Sequence, residues 1–159
     1  MTLPITLFID RLPDLKVNVS VLYEEYCTVE SKLEDVDDHG NVTLVQKKFH
    51  LMCNNIMSEE LLRLPYTKSI VDSIFALQQF NSVNYRIVLP NRCYNWHTDP
   101  GKMCVHIPLI TNNGCKFVYD TRAFSMPSDG SVYIVNNSIP HTFVNAGKEP
   151  RLHLTFENL

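Results

Sequence analysis

Residues 151–157 read RLHLTFE, and the order of residue types in this heptapeptide decides the fold. Side chains two apart on a strand share a face. Leu152, Leu154 and Phe156 therefore form one apolar face, and Arg151, His153 and Thr155 the other. An apolar face belongs against a core. The opposite face is too consistently polar to be a second packing surface, so it is expected to look inward on a pocket lined by Arg151 and His153.

The same short β-type segments recur upstream: VNYRIVL from residue 83, MCVHIPLI from 103, CKFVYD from 115, SVYIVN from 131 and HTFVNA from 141. They are separated by LPNRCYN, TNNG, MPSDG, NSIP and AGKEP, each with the Gly, Pro or Asn expected of turns. Closely spaced strands of this kind predict a mainly β protein, an antiparallel sandwich or jelly roll. Before residue 82 the chain has a different character. Ser58 is placed to cap a turn beginning at Glu59 and Glu60, Pro65 interrupts, and Ile70, Val71, Ile74, Phe75 and Leu77 recur at the spacing of one buried helix face. VNVSVLYEEY (17–26) and NVTLVQKKFHL (41–51) read as strands, with the acidic EDVDDHG (34–40) as a solvated turn, since it lacks the full calcium-loop pattern. The expectation is one domain over 1–159, with N-terminal strands and supporting helices in 1–82 and the β core in 83–157, the helices covering one sheet.

Composition narrows the function classes. The chain has 159 residues, 45% of them of hydrophobic type, which suffices for one core. A net charge of −3 and scattered basic residues argue against nucleic acid as a partner. Five cysteines without a C-x-x-C pair read as reduced thiols. The N-terminus meets Asp10 and Arg11 after a short apolar run, unlike a signal peptide or a membrane span. A soluble, cytoplasmic protein with no membrane partner is expected.

His97 and Asp99, two apart in NWHTDPG, are able to point to one side. Two ligands from one extended segment and a third from a distant strand describe the facial triad that holds non-haem Fe(II) with open positions, and His141 is the natural third. Alone the pair proves little: with 6 His and 17 acidic residues, roughly 0.6 H-x-[DE] matches arise by chance. Asp99 ahead of Pro100-Gly101 has a simpler reading as a turn residue, and His106, between Val105 and Ile107, as a core histidine. Order raises the metal reading: H-x-D precedes a run of strands, His141 heads a later one, and Arg151 follows ten positions on.

His97-Thr98-Asp99, His106-Ile107-Pro108-Leu109, Pro140-His141 and Arg151 together resemble the Fe(II)- and 2-oxoglutarate-dependent oxygenases. The HIPL segment and Asn145 resemble their aspartyl/asparaginyl β-hydroxylase branch, over about residues 83–157. The resemblance implies a double-stranded β-helix, a cupin-like jelly roll. It also implies His97, Asp99 and His141 as iron ligands, Arg151 as partner of the distal carboxylate of 2-oxoglutarate, and His106 as a second co-substrate contact. Fe(II), 2-oxoglutarate and O2 would then hydroxylate an unactivated C–H, the β-carbon of an Asp or Asn side chain among the options, in a free amino acid, another small molecule, a peptide or a protein. One position departs from the branch: Cys104 stands where an arginine is common, two residues before His106.

Tyr85, Asn95, Trp96 and His153 are further pocket residues by position, with packing as the alternative for each; Tyr94 flanks the motif similarly. Asn136 and Asn137 either orient His141 or form a turn. Two rival functions keep the jelly roll: a cupin-like metalloenzyme that uses no 2-oxoglutarate, and a non-catalytic binding module in which the histidines are structural.

Overall fold

Alternation sorts the strands into two antiparallel sheets, seen in a computed structural model that describes residues 6–36, 44–99 and 103–158. The larger sheet takes β1 (Ile9–Lys16), β2 (Glu34–Val36), β3 (Gln46–Cys53), β4 (Ile56–Met57), β5 (Ser82–Val88), β7 (Met103–Ile110), β10 (Ser131–Asn136) and β12 (Arg151–Glu157). Their order is β1-β10-β7-β12-β5-β3-β2, with β4 paired to β3. The smaller sheet is β6-β11-β8-β9, built from β6 (Arg92–Cys93), β8 (Cys115–Tyr119), β9 (Arg122–Phe124) and β11 (His141–Asn145).

Three helices, α1 (Val19–Cys27), α2 (Glu59–Leu62) and α3 (Pro65–Phe75), pack on one face of the larger sheet. Leu152, Leu154 and Phe156 share that core with Ile70, Val71 and Ile74. A second cluster, with Phe117, Tyr119 and Phe143 from the smaller sheet and Val88, Tyr133 and Val135 from the larger, closes the two sheets on each other. The result is a double-stranded β-helix of the jelly-roll, cupin-like kind, as the family resemblance implies, mainly β with helices on one side, as the strand spacing predicts. The strands expected from residue 83 onward all form, and the capped turn at Ser58, whose Oγ accepts from Leu61 N at 3.2 Å, forms too.

One element differs. VNVSVLYEEY is not a strand; most of it is helix α1. Val17, Val19 and Val21 give it a β-like appearance, but Asn18 caps it, its side chain accepting from Val21 N at 3.3 Å. Leu22 and Tyr26, four apart, are its buried face. Glu25 then fixes the start of α3, its carboxylate accepting from Tyr66 N at 2.8 Å and Thr67 N at 2.7 Å. The strand lies just before it: IDRLPDLK forms β1 on the edge of the larger sheet, where Pro13 withholds no bond that a central strand would need. The acidic turn reading survives in part. Glu34–Val36 form β2, paired to β3, and residues 37–40, like Pro100 and Gly101, lie outside the described residues. The first half therefore supplies strands to both edges of the sheet as well as its helices.

Candidate metal and co-substrate site

The H-x-D segment meets the smaller sheet where His97 faces His141, the first residue of β11. The two residues form an isolated antiparallel bridge, exchanging both backbone bonds: His97 N–H donates to His141 O at 3.1 Å and His141 N–H to His97 O at 2.9 Å. A hydrogen-bonded pair puts both side chains on one face, and the ring centroids stand 4.3 Å apart. Asp99 is brought alongside by its N–H bond to Asn137 O at 2.8 Å. One ligand atom from each of His97, Asp99 and His141 lies within 4.8 Å of the other two.

The imidazoles are oriented alike. Nδ1 of His97 lies 2.8 Å from Asn95 O, and Nδ1 of His141 lies 2.9 Å from Ile139 O. A carbonyl only accepts, so Nδ1 carries the proton on each ring and Nε2 keeps its lone pair, the tautomer a metal ligand needs. Phe117 stacks on His141 at 4.9 Å and 18°, steadying the ring. Asn137 Nδ2 donates to Asp99 Oδ2 at 3.2 Å and to Cys104 Sγ at 3.1 Å. Asn137 thus steadies Asp99, whereas the sequence suggested His141 as its target. Asn136 forms a turn, its Oδ1 accepting from Ser138 N at 3.0 Å.

A cavity of about 240 Å³ opens beside the triad, lined in part by Cys104, His106, Phe143 and Arg151. Arg151 is 1% exposed, and its guanidinium lies 3.9 Å above the Phe143 ring. Its Nη2 reaches His153 Nδ1 at 2.7 Å and His106 Nδ1 at 3.2 Å. Among the described residues no carboxylate pairs with it, and its Nε finds no partner. Burial accordingly pulls its pKa down to about 10. Burial first, and the Arg151 charge second, hold His106 and His153 well below the ordinary imidazole value, so both are neutral. The inner wall thus sets a buried cation and neutral imidazoles beside the triad, an arrangement able to accept an anion.

The structure brings His97, Asp99, His141, His106 and Arg151 together on this cavity and leaves other expected residues off it. Tyr85 points the other way: it is fully buried among the helices, its hydroxyl 2.8 Å from Thr67 Oγ1 and its ring 5.2 Å from Tyr26. The alternation in VNYRIVL carries the reason, because Val83, Tyr85 and Ile87 share the helix-facing side and Asn84 and Arg86 the inner one. Trp96 is 56% exposed, and Asn95 is exposed, serving the site through its carbonyl. His153 sits behind the cavity wall, supporting Arg151. Tyr94 does line the cavity, its hydroxyl donating to Gln46 Oε1 at 2.5 Å. Asn145 is a structural hub: its Nδ2 donates to Val88 O, Leu89 O and Glu149 O, tying the end of β11 to β5. The charged cavity residues that the sequence reading did not single out are Lys48, Arg86 and Glu157, on β3, β5 and β12; Phe117, Phe143 and Asn158 line it as well.

The family model for aspartyl/asparaginyl beta-hydroxylase matches residues 17–158, extending the likeness well upstream of residue 83. The chain belongs to the aspartyl/asparaginyl beta-hydroxylase family. Among individual members of known proteins, the chain is similar to an L-proline cis-4-hydroxylase of Rhizobium meliloti (strain 1021), at 27% identity over 99 residues, 59% of this chain and 35% of that protein. The chain therefore spans about a third of that relative's length. In solved structures the fold is similar to an oxidoreductase of the 2OG-Fe(II) oxygenase family from Burkholderia pseudomallei, with TM-score 0.63 and 14% identity over 94% of this chain and 84% of that one. It is also similar to a Pseudomonas putida prolyl-4-hydroxylase, with TM-score 0.58 and 12% identity over 94% and 91%. At such identities the structural likeness establishes the fold. For the family, the double-stranded β-helix expected from HIPL and its neighbours is the fold observed.

Proposed function

We propose that this protein is an Fe(II)- and 2-oxoglutarate-dependent dioxygenase that hydroxylates an unactivated C–H of an amino-acid-sized substrate. The observation that carries the reading is Arg151, a buried guanidinium that no carboxylate among the described residues pairs with, on the same cavity as the triad. Placing an unanswered cation there is costly unless an anion arrives to meet it. A planar guanidinium suits the distal carboxylate of 2-oxoglutarate, which it can hold through two parallel bonds.

The donor set fits the metal. Nε2 of His97, Nε2 of His141 and a carboxylate oxygen of Asp99 would hold Fe(II) on one face, leaving three positions for co-substrate and oxygen. When bound, the metal would supply the oxidising chemistry in which one oxygen atom of O2 enters a substrate C–H bond and the other enters the succinate formed, with carbon dioxide, from 2-oxoglutarate. The chain's own residues position the reactants. Asn95 O and Ile139 O hold the two imidazole tautomers, Asn137 holds the Asp99 carboxylate, and neutral His106 offers the co-substrate a polar contact without adding charge. Cys104 stands where the branch commonly has arginine, so the co-substrate has one basic contact fewer, and Arg151 carries more of its binding.

The cavity is at the small end of ligand pockets, which favours a free amino acid or a short side chain over a folded protein surface. The name of the Rhizobium relative, an L-proline hydroxylase, supports the same size class. An Asp or Asn β-carbon, as the family's description suggests, is one C–H of that size.

Anaerobic titration with Fe(II) and 2-oxoglutarate tests the reading. A weak visible charge-transfer band is expected, lost in His97→Ala, with succinate release on admitting oxygen. Absence of both the band and any 2-oxoglutarate affinity would overturn it. An Arg151→Ala variant with normal turnover would favour a cupin-like enzyme that needs no 2-oxoglutarate.

A further inference from the structure

We propose that the Tyr94 hydroxyl is a second holder of the co-substrate's distal carboxylate, drawn away from Gln46 when 2-oxoglutarate enters beside Arg151. The inference rests on the dioxygenase reading above and adds to it a neutral donor and the acceptor that keeps that donor in reserve.

Tyr94 follows β6 and is pinned against β11, its N–H donating to Phe143 O at 3.0 Å and its carbonyl accepting from Thr142 Oγ1 at 2.7 Å. Its ring neighbours both ends of the site. The His97 ring lies 6.1 Å away, and the Phe143 ring, which underlies the Arg151 guanidinium, lies 6.3 Å away. All four residues line the cavity. From the side of the smaller sheet the hydroxyl reaches the larger one, donating to Gln46 Oε1 at 2.5 Å. Gln46 and Arg151 both pair with Val88, so the three make one row across β3, β5 and β12 and share a face. Strands lie about 4.8 Å apart, which puts Gln46 roughly 10 Å from Arg151 at the backbone, with the phenol meeting that row from across the cavity. The charge of Arg151 registers the phenol. Burial pulls its pKa down to about 10, and the strongest influence in the opposite direction is Tyr94.

A carboxylate brought into this cavity needs more than Arg151. It offers about four lone-pair sites, of which a guanidinium answers about two, and sites left unpaired away from water are costly. The other neighbours of the guanidinium give little: Phe143 presents a ring face, and His106 and His153 meet Arg151 through Nδ1. Tyr94 supplies an O–H that has only to turn about its own C–O bond. That turn exchanges a neutral acceptor, the Gln46 amide oxygen, for a charged one, and a hydrogen bond to a charged acceptor is roughly twice as strong. The incoming carboxylate therefore takes the hydrogen from Gln46. A phenol also leaves the empty cavity with less buried charge than a second arginine would, since it is neutral until the ligand arrives. The pocket thereby reads the far end of the 2-oxo acid: a chain ending in a methyl group gains nothing from Tyr94 and leaves Arg151 unanswered.

Anaerobic titration of the Fe(II)-loaded protein, followed by its visible band, provides the test. The probes are 2-oxoglutarate and 2-oxopentanoate, the same chain ending in a methyl group. Tyr94→Phe is expected to weaken 2-oxoglutarate about tenfold and 2-oxopentanoate by no more than about twofold. Gln46→Met removes the same resting hydrogen bond from its other side. It should leave 2-oxoglutarate bound as tightly as in wild type or more so, because nothing then holds the hydroxyl back. A bond of purely structural value would make the two variants alike. The assignment is overturned if Tyr94→Phe leaves 2-oxoglutarate affinity unchanged, if it weakens both acids equally, or if Gln46→Met weakens 2-oxoglutarate as much as Tyr94→Phe does. Should Tyr94→Phe not fold, the wild-type protein decides. With Zn(II) bound and tyrosine Cζ isotopically labelled for NMR, the resonance that Gln46→Met displaces is expected to move on adding 2-oxoglutarate and to stay in place with 2-oxopentanoate; no shift, or equal shifts, overturns the assignment. Failure of the wild-type protein to bind 2-oxoglutarate, visible before any variant is made, sinks the dioxygenase reading and this assignment with it.

Discussion

Arg151 sits at 1% exposure over the Phe143 ring, with imidazoles for neighbours where an acid would stabilise it. Replacing such a buried charge by an apolar residue of similar length is often neutral or stabilising by about 1–4 kcal/mol. Arg151→Met is therefore expected to leave the ligand-free protein as stable as wild type or more so. The gain wild type shows on adding Mn(II) and 2-oxoglutarate, by contrast, should largely vanish. Urea denaturation with and without the ligands measures both, and a variant that loses stability in the ligand-free state while keeping the ligand response would contradict it. The same residue shows what a sequence discloses. Arg151 and His153 are legible because alternation within RLHLTFE puts them on the polar face, and His97, Asp99 and His141 because their types and order are distinctive. Lys48, Arg86 and Glu157 are not. Each looks like an ordinary strand residue until the pairing register sets Lys48 against Arg86, and register between distant strands is absent from local sequence.

Helix α1 shows how an element is fixed by a partner remote in sequence. Its Glu25 carboxylate takes the first free N–H groups of α3 and the Thr67 hydroxyl, the last at 2.7 Å. Hydrogen bonds to a charged group and a cap at a helix start are each significant. Glu25→Ala is expected to cost about 2 kcal/mol, read as a lower urea midpoint at unchanged slope. That tertiary tie also explains why VNVSVLYEEY reads as a strand: three valines set its local preference, while the cap at Asn18 and the contact made through Glu25 belong to the folded chain. Strands β7 and β12 carry a second consequence. They bury His106 and His153, both held below the ordinary 6.5, chiefly by burial. As pH falls past that value the unfolded chain takes up two protons that the native protein refuses. Their contribution to stability is thus fully present above 6.5 and lost progressively on acidification, at up to about 1.4 kcal/mol per pH unit for each histidine. Denaturation between pH 7.5 and 5 should show the loss, and His153→Gln should make it shallower; equal slopes would contradict the buried-neutral assignment.

At the scale of the molecule, the larger sheet gathers strands from both ends of the chain, with β1 on one edge and β3 and β2 on the other. The jelly roll itself is readable from closely spaced strands and turn residues, since those are local. The edge position of β1, containing Pro13, and the two-residue β6 are not, because short or proline-bearing strands owe their existence to the partners they meet. The smaller sheet faces the larger across the cluster that holds Phe117, Phe143, Tyr133 and Val135, and it is tied to the H-x-D segment by the reciprocal bond pair between His97 and His141. That bridge makes the proposed ligands and the backbone junction one cooperative unit. Neither amide can reach solvent while the bridge is closed, and a metal held by both rings would clamp it shut. In hydrogen–deuterium exchange the two amides are expected to open as a pair, slowed together by Mn(II) and released together by a chelator, while buried β12 amides stay protected throughout. Unequal responses at the two positions would show that the junction opens without disturbing the site, and that metal occupancy is not reported by the seam.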